Sequence, residues 1–297
     1  MQAIKRIHHI TAIVGDPNEN IKFYRDVLGL RMVKQTVNFD DSGVYHLYFA
    51  DYDGTPGTVI TFFNWMVDRP GQKGSGQVGR IGFRIPKGSM SEWQQHFDKL
   101  NISTKISQLF GQDTLEFDDV HGLELALIED DTARENHEII GFHGAVLLSS
   151  DPDGTKELLV RTMGLNQLDI NDRNYHFETA GEEKHHIITE IPPSPRGRFG
   201  IGTVHHIAWS LPELSMLEEW QGLLRDKGFA VTEVRDRNYF KSIYLSERGD
   251  VVFEFATDEP GFDVDEDKSE LGTSLQLPPQ YEDRRTQFEK ELPKLDL

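Results

Sequence analysis

The chain has 297 residues, a formal net charge of −19 and no cysteine. This charge argues against binding to nucleic acid or to an anionic membrane surface, and the lack of cysteine excludes disulfides and thiolate metal ligands. The sequence has neither the long apolar run of a transmembrane helix nor a signal peptide, so we expect a cytoplasmic protein of about two domains.

The first predicted module has the order strand, helix and three further strands (βαβββ). Its first strand covers residues 9–14, and a helix follows that begins at Asp16-Pro17 and ends at Gly29. The three remaining strands are predicted at 31–38, 45–50 and 58–63, because these segments are rich in β-branched and aromatic residues.

The same order recurs three times with lower fidelity. Module two is predicted to have strands at 80–85, 105–109, 114–117 and 123–128, with a helix at 90–100. Module three is predicted to have strands at 142–148, 167–171, 174–179 and 186–190, with a helix at 155–163. Module four is predicted to have strands at 204–211, 230–236, 242–246 and 251–256, with a helix at 214–227. A charged tail, residues 263–297, contains one short helix around 282–291.

Two histidine pairs, His8-His9 and His205-His206, open the first strands of modules one and four. Side chains alternate across a strand, so His9 and His206 are predicted to face a cavity. His8 and His205 begin on the helix side, although the twist of a strand end could still bring them near the site. A single such pair is more often a polar strand end, but two pairs in equivalent positions indicate a shared metal site.

The last strand of module four contains one acidic residue, Glu254, on the face opposite its phenylalanines. A buried carboxylate is costly unless it is paired or bound to metal. We therefore predict that His9, His206 and Glu254 hold one divalent ion at about 2.0–2.2 Å. Modules one and four must then build one cup together, and modules two and three are left to form a metal-free cup. Alignment of the closing strands places Phe62, and approximately Leu127, at the glutamate position.

Other histidines give weaker signals. His143 lies at the first-strand position of module three and is the strongest rival ligand, but its module has no matching glutamate, so a structural role is favoured. His46 either points into the cavity of module one or pairs across strands. His185 and His186 are predicted to be surface or structural residues, and His96 and His121 are predicted to be surface residues.

Four βαβββ modules are the plan of the vicinal oxygen chelate superfamily of glyoxalases, bleomycin resistance proteins and extradiol dioxygenases. The chain resembles this superfamily over most of its length, including Asp16 and the phrase Phe23-Tyr24 with Leu28-Gly29-Leu30. The resemblance implies an α+β fold in which four modules form two open, cupped, barrel-like domains. We accordingly expect an N-terminal domain at 1–135 (modules one and two), a C-terminal domain at 139–262 (modules three and four) and the tail at 263–297.

Longer phrases resemble the ring-cleaving dioxygenases that act on hydroquinones. They lie at 7–11, 45–51, 54–58, 71–74, 85–89, 129–130, 132–134, 237–244, 253–254 and 261–262. The resemblance implies an Fe(II) ion held by His9, His206 and Glu254. It implies these pocket residues: His8, Thr11, His205, Arg237 and Tyr244. Asn238 stands where relatives often carry Gly, which leaves substrate preference open.

The resemblance thus implies that the chain uses Fe(II), or alternatively Mn(II), and no other cofactor to open hydroquinone- or catechol-type diols with O2. His8 or His205 would act as acid or base, and Arg237 and Tyr244 would stabilise negative charge on oxygen. Two alternatives are a glyoxalase-type metal-dependent lyase or isomerase and a non-enzymatic protein that binds aromatic compounds. The ring substituents, the para or ortho preference and assembly as a homo-oligomer stay open.

Overall fold

A computed structural model describes residues 2–65, 69–131, 138–170 and 173–297. The phrase at 132–134, the domain end at 135 and the last residue of the strand predicted at 167–171 lie outside the described residues. Within those residues, no helix is long and apolar enough to span a membrane.

The first two modules follow the predicted order. Module one contains β1 (Ile7–Val14), α1 (Pro17–Ile21, continued by a π-helical segment, Lys22–Val27), β2 (Arg31–Val37), β3 (Tyr45–Ala50) and β4 (Val59–Asn64). Module two contains β5 (Gln77–Pro86), α2 (Met90–Lys99), β6 (Lys105–Leu109), β7 (Gln112–Asp118) and β8 (Glu124–Asp130). The Asp16 carboxylate caps α1 by accepting hydrogen bonds from the backbone N–H groups of Asn18 and Glu19.

Modules three and four repeat this order. Module three contains β9 (Gly141–Leu148), α3 (Pro152–Glu157, continued by a π-helical segment, Leu158–Thr162), β10 (Asn166–Ile170), β11 (Asn174–Glu178) and β12 (His186–Glu190). Module four contains β13 (Thr203–Leu211), α4 (Leu214–Asp226), β14 (Arg235–Asp236), β15 (Phe240–Ser246) and β16 (Val252–Pro260). The tail has short 3-10 turns at Phe262–Val264, Lys268–Glu270 and Pro279–Arg284, and ends with α5 (Arg285–Glu291).

The strand predicted at 230–236 is wrong over most of its length, because only Arg235–Asp236 pairs as a strand. The backbone around Thr232 is held differently. Its carbonyl accepts a hydrogen bond from the Gln221 side chain on α4 at 2.7 Å, and its hydroxyl accepts one from the backbone N–H of Tyr244 at 3.0 Å. Side chains therefore satisfy polar groups that a regular ladder would have paired.

The sixteen strands in the described part of the chain form two sheets that curl into open half-barrels, which confirms the predicted α+β class. The first sheet has the order β14-β15-β16-β13-β1-β4-β3-β2, and the second has the order β10-β11-β12-β9-β5-β8-β7-β6. Modules four and one build the first sheet, and modules three and two build the second. This confirms the prediction that modules one and four form one cup. The division of the chain at 1–135 and 139–262 stays a prediction about sequence halves, each of which contributes one module to each sheet.

All four first strands bury core residues at the same spacing, with gaps of three and then two positions. The sets are Ile7, Ile10 and Ala12; Val78, Ile81 and Phe83; Phe142, Ala145 and Leu147; and Val204, Ile207 and Trp209. The ladder shifts register at the first gap in β1 and in β5, as a β-bulge does. Where two core residues are three positions apart, both side chains between them point away from the core. Simple alternation therefore misplaced His8 and His205 on the helix side, because each turns away from the core with its neighbour.

The C-terminal tail packs against module one. The backbone N–H of Gln276 donates to the carbonyl of Gln35 on the edge strand β2 at 2.9 Å. The buried Lys34 ammonium pairs with Asp265 at 2.7 Å and also with Glu266. The tail thus covers a strand edge that would otherwise be open to pairing with another chain.

Candidate metal centre

Three side chains converge where β1, β13 and β16 lie side by side. The Nε2 atoms of His9 and His206 are 3.3 Å apart, and they lie 3.2 and 2.8 Å, respectively, from Oε2 of Glu254. Three donor atoms placed at right angles around one ion at about 2.1 Å would be about 3 Å apart. In the described part of the chain, no other group of three His, Asp or Glu side chains converges so closely. The structure therefore brings together the three residues predicted as ligands.

The Glu254 carboxylate is completely buried, and neither of its oxygens accepts a well-formed hydrogen bond from a described residue. Burial alone would raise the pKa of this carboxyl group, but the imidazoles of His9 and His206 hold the pKa well below its usual range. A buried carboxylate that stays ionised needs positive charge beside it, which a metal ion bound by the same three residues would supply. The donor set thus fits a divalent metal ion.

Each of the two predicted ligand histidines contacts the histidine that precedes it. Nδ1 of His8 lies 2.8 Å from Nδ1 of His9, and the Nδ1 atoms of His205 and His206 are also 2.8 Å apart. Burial, followed by the neighbouring imidazole, lowers the pKa of His8 well below its usual value and that of His205 to about 3. A neutral outer ring can accept the Nδ1–H of the ligand ring, which leaves the ligand's Nε2 lone pair facing the centre.

A cavity of about 30 Å³ lies over the three donors. Among the predicted pocket residues, Arg237 and Tyr244 line it, whereas His8, His205 and Thr11 lie outside its lining. This volume holds about one water molecule, so lining side chains must shift before an aromatic ring can enter.

Arg237 links the two modules at this cavity. Its Nε donates to the Tyr244 hydroxyl at 3.2 Å, and its Nη2 donates to Asp40 of module one at 2.8 Å. Burial alone would lower the pKa of Arg237, but Tyr244, Asp40 and Glu254 raise it, so the guanidinium stays charged. Burial and Glu254 raise the pKa of Tyr244, which keeps it a neutral phenol. Asp40 was missed in the sequence because it meets Arg237 only after modules one and four pair.

Asn238 follows Arg237 in a left-handed conformation, with φ of 67°. Glycine adopts this conformation without strain, and asparagine is among the residues that tolerate it. The Asn238 side chain donates to Asp265 in the tail at 3.2 Å and does not line the cavity. Asparagine in place of glycine can therefore adopt the loop conformation needed beside Arg237.

Strand register identifies the true counterparts of Glu254. Ala208 pairs with Glu254 in the parallel β13–β16 ladder. The equivalent pairs in modules one, two and three are Thr11 with Thr61, Gly82 with Ala126, and Val146 with Ile188. The assignment of Phe62 and Leu127 was wrong by one residue, because both face the main core. The counterpart in module one is the polar Thr61, whose hydroxyl lies 2.7 Å from that of Thr11.

The same register explains His143. The core spacing aligns it with His8 and His205, whereas Arg80 and Gly144 hold the places of His9 and His206. Arg80 is paired with Glu116 at 3.2 Å. His143 is 1% exposed, and neither ring nitrogen has a hydrogen-bond partner within the described residues. Its position is therefore that of the histidine preceding a predicted ligand rather than of a ligand.

The other histidines divide between the cavity and the scaffold. His46 lines the cavity, which resolves the alternative left open by the sequence. His185 is buried and accepts a hydrogen bond from the backbone N–H of Ile7 at 3.0 Å, while the ring of His186 stacks on His143. The expectation of a surface position is wrong for His121, whose side chain is only 7% exposed.

Comparisons with known proteins extend over nearly the whole chain. A family model for the glyoxalase/bleomycin resistance protein/dioxygenase superfamily matches residues 6–133 and 141–264. The chain is 47% identical over 296 residues to the "Putative ring-cleaving dioxygenase MhqO" of Bacillus subtilis strain 168, covering 96% of this chain and 95% of that protein. It is 28% identical over 301 residues to the chlorohydroquinone/hydroquinone 1,2-dioxygenase of Sphingobium indicum, covering 95% and 94%.

A solved structure matches along its whole length as well. The crystal structure of a "putative dioxygenase" from Bacillus subtilis subsp. subtilis strain 168 has a TM-score of 0.96 to this chain at 45% identity, covering 100% of this chain and 99% of that one. The family model and a relative 47% identical both extend over nearly the whole chain. The chain therefore belongs to the glyoxalase/bleomycin resistance protein/dioxygenase superfamily.

Proposed function

We propose that the chain is an Fe(II)-dependent dioxygenase that opens the ring of a hydroquinone-type diol with O2. The observation that carries this proposal is the convergence of His9, His206 and Glu254 beneath a cavity that contains Arg237 and Tyr244. Two imidazoles and one carboxylate on one face of an ion are the donor set of non-haem Fe(II) oxygenases. The names of the full-length relatives support ring cleavage and a hydroquinone substrate.

Iron at this site would supply open coordination positions for the diol and O2, together with the redox chemistry that O2 requires. The protein's own groups then act on charge and protons. The Arg237 guanidinium and the Tyr244 hydroxyl stabilise negative charge that develops on a substrate oxygen. His8 and His205 remain candidate acid–base groups. Each already uses Nδ1 on a ligand histidine, so a proton would be exchanged at Nε2, and in His8 this exchange competes with a hydrogen bond to the backbone of Thr257.

Anaerobic reconstitution with Fe(II), followed by O2 uptake with hydroquinone and catechol, tests the proposal. We expect one O2 consumed per diol and a ring-opened product that carries two additional oxygen atoms. Parallel reconstitution with Mn(II) compares the two metals, and Glu254→Gln is the inactive control. Turnover of a methylglyoxal–thiol adduct without O2 uptake would instead identify the glyoxalase-type lyase. Binding of the diols without any turnover would identify the non-enzymatic binding protein.

A further inference from the structure

The duplication of modules gives the cavity a second tyrosine. Tyr244 pairs with Glu254 in the antiparallel β15–β16 ladder, and Tyr48 pairs with Thr61 in the antiparallel β3–β4 ladder. Because Thr61 is the counterpart of Glu254, Tyr48 holds in module one the place that Tyr244 holds in module four. Both tyrosines line the same cavity. Strands β3 and β15 lie symmetrically on either side of the central β1–β13 pair, so the two phenols approach the centre from opposite sides.

Tyr48 is held by a buried chain of hydrogen bonds. Its hydroxyl lies 2.9 Å from Nδ1 of His46, and Nε2 of His46 lies 2.8 Å from the Thr61 hydroxyl. The Thr61 hydroxyl in turn lies 2.7 Å from that of Thr11. Both ring nitrogens of His46 are therefore used, and its ring is fixed in place. These hydrogen bonds connect Thr11, which lies outside the cavity lining, to Tyr48, which lies within it.

The Tyr48 hydroxyl keeps a free hydrogen-bonding capacity toward the cavity. Burial, followed by Tyr244 and Glu254, raises the pKa of Tyr48 well above its usual value, so it stays a neutral phenol. A phenol has one donor hydrogen and acceptor lone pairs. If it donates to His46, a lone pair remains for a ligand, and if it accepts from His46, its own hydrogen remains. In both cases Tyr48 can bind one further oxygen.

We propose that Tyr48, positioned by His46, binds the ring oxygen of the substrate that lies away from the metal. The proposal rests on the proposed function. The two oxygens of a para-diol point in opposite directions, so an oxygen at the metal donors leaves the other on the far side of the ring. The hydroxyl of Tyr48 is bonded to His46 and not to any of the three metal donors.

Ligand binding without turnover tests this inference. Fe(II)-loaded protein is titrated anaerobically with hydroquinone and with 4-fluorophenol, which lacks the second hydroxyl, and dissociation constants are measured by calorimetry. Tyr48→Phe should weaken hydroquinone binding about fivefold, the value of one hydrogen bond, and leave 4-fluorophenol binding unchanged. His46→Gln, which keeps the phenol but loosens it, should weaken hydroquinone binding about twofold and also spare 4-fluorophenol.

Tyr239→Phe is the matched control. The ring centroids of Tyr239 and Tyr48 are 6.3 Å apart, but the Tyr239 hydroxyl donates to Asp265 at 3.0 Å and Tyr239 does not line the cavity. It should bind both ligands as the unmodified protein does. Tyr239→Phe removes a buried phenolic hydroxyl near Tyr48 without changing the cavity lining. It therefore measures how far the loss of such a hydroxyl by itself alters ligand binding.

The outcomes separate this inference from the proposed function. Equal weakening of both ligands by Tyr48→Phe would place its contact at the metal-bound oxygen and overturn the inference. Unchanged hydroquinone binding in Tyr48→Phe, in a protein that cleaves hydroquinone, would overturn the inference alone. If the unmodified protein bound neither ligand and consumed no O2, the proposed function would fall and the inference with it. Unchanged 4-fluorophenol affinity in each variant shows that the pocket has kept its fold.

Discussion

Weak acid should destabilise this protein through His143, a histidine of the second sheet that is far in sequence from the metal donors. Its imidazole is 1% exposed and has no hydrogen-bond partner within the described residues. Burial, followed by the neighbouring His186, lowers its pKa from 6.5 to about 2. The unfolded chain takes up this proton near the ordinary pKa, whereas the folded protein resists it down to about pH 2.

The sign and the size of the effect follow from this difference. A histidine whose folded pKa lies below its unfolded pKa contributes stability that is fully present above pH 6.5 and is lost as the pH falls toward 2. Each pH unit below the unfolded pKa costs about 1.4 kcal/mol. Lowering the pH from about 7.5 to about 5 should therefore remove about 2 kcal/mol of unfolding free energy through His143.

Urea unfolding of the metal-free protein, followed by far-UV circular dichroism at both pH values, measures this loss. His143→Phe and His143→Leu cannot be protonated at this position, so each should lose about 2 kcal/mol less than the unmodified protein. Two side chains of different shape separate the proton from packing effects, because packing changes stability equally at both pH values. Identical pH dependence in all three proteins would refute the burial argument for His143.

Three further predictions concern the metal centre and its neighbours. Glu254→Gln should abolish metal-dependent stabilisation in thermal melts. The unmodified protein should gain about 2.7 kcal/mol of unfolding free energy when the ion is at about 100 times its dissociation constant. Full iron content and full activity in the Glu254→Gln protein would contradict this prediction. Asp40→Asn should raise the KM for hydroquinone about fivefold, because it frees the Arg237 side chain. The unfolding free energy should fall by less than about 1 kcal/mol, since the Asp40–Arg237 pair is partly exposed. An unchanged KM would refute the role of Asp40 in positioning Arg237. Asn238→Val should lower the unfolding free energy measured in urea by about 1–3 kcal/mol, because a β-branched residue is strained at φ of 67°. Asn238→Gly should leave the stability nearly unchanged. Equal stability of the two variants would exclude backbone strain at this position.

The convergence of the metal donors could be predicted because it depends on local rules. Alternation along a strand singles out His9, His206 and Glu254 without knowledge of the partner strands. Their common ion then requires modules one and four to meet, and the sheet order has this pairing. The chemistry of a few side chains thus fixed a contact between residues almost two hundred positions apart.

One error arose where an inserted residue breaks the alternation. The bulge near the start of β1 puts both His8 and His9 on the side away from the core, and simple alternation does not include it. The shift of Glu254's counterpart from Phe62 to Thr61 has a different origin, because the β1–β4 ladder is regular and the register between two strands is a tertiary property. The role of Asp40 was missed because its partner Arg237 comes from another module, and that of Tyr48 was missed because its equivalence to Tyr244 appears only in the strand register.

The second sheet shows why the described residues of a four-module chain form a single candidate metal centre. Its ligand positions hold Arg80, Gly144 and Ile188, while His143 survives at the position that precedes a ligand. A histidine could not simply be restored at Gly144, because a Cβ there would clash with the backbone carbonyl oxygen of His186 and press on the Phe110 ring. The strands β9 and β12 have therefore closed over the space that a ligand side chain would need. The asymmetry between the two cups resides in the backbone as well as in the side chains, so a second metal site requires movement of β12 and not a substitution alone.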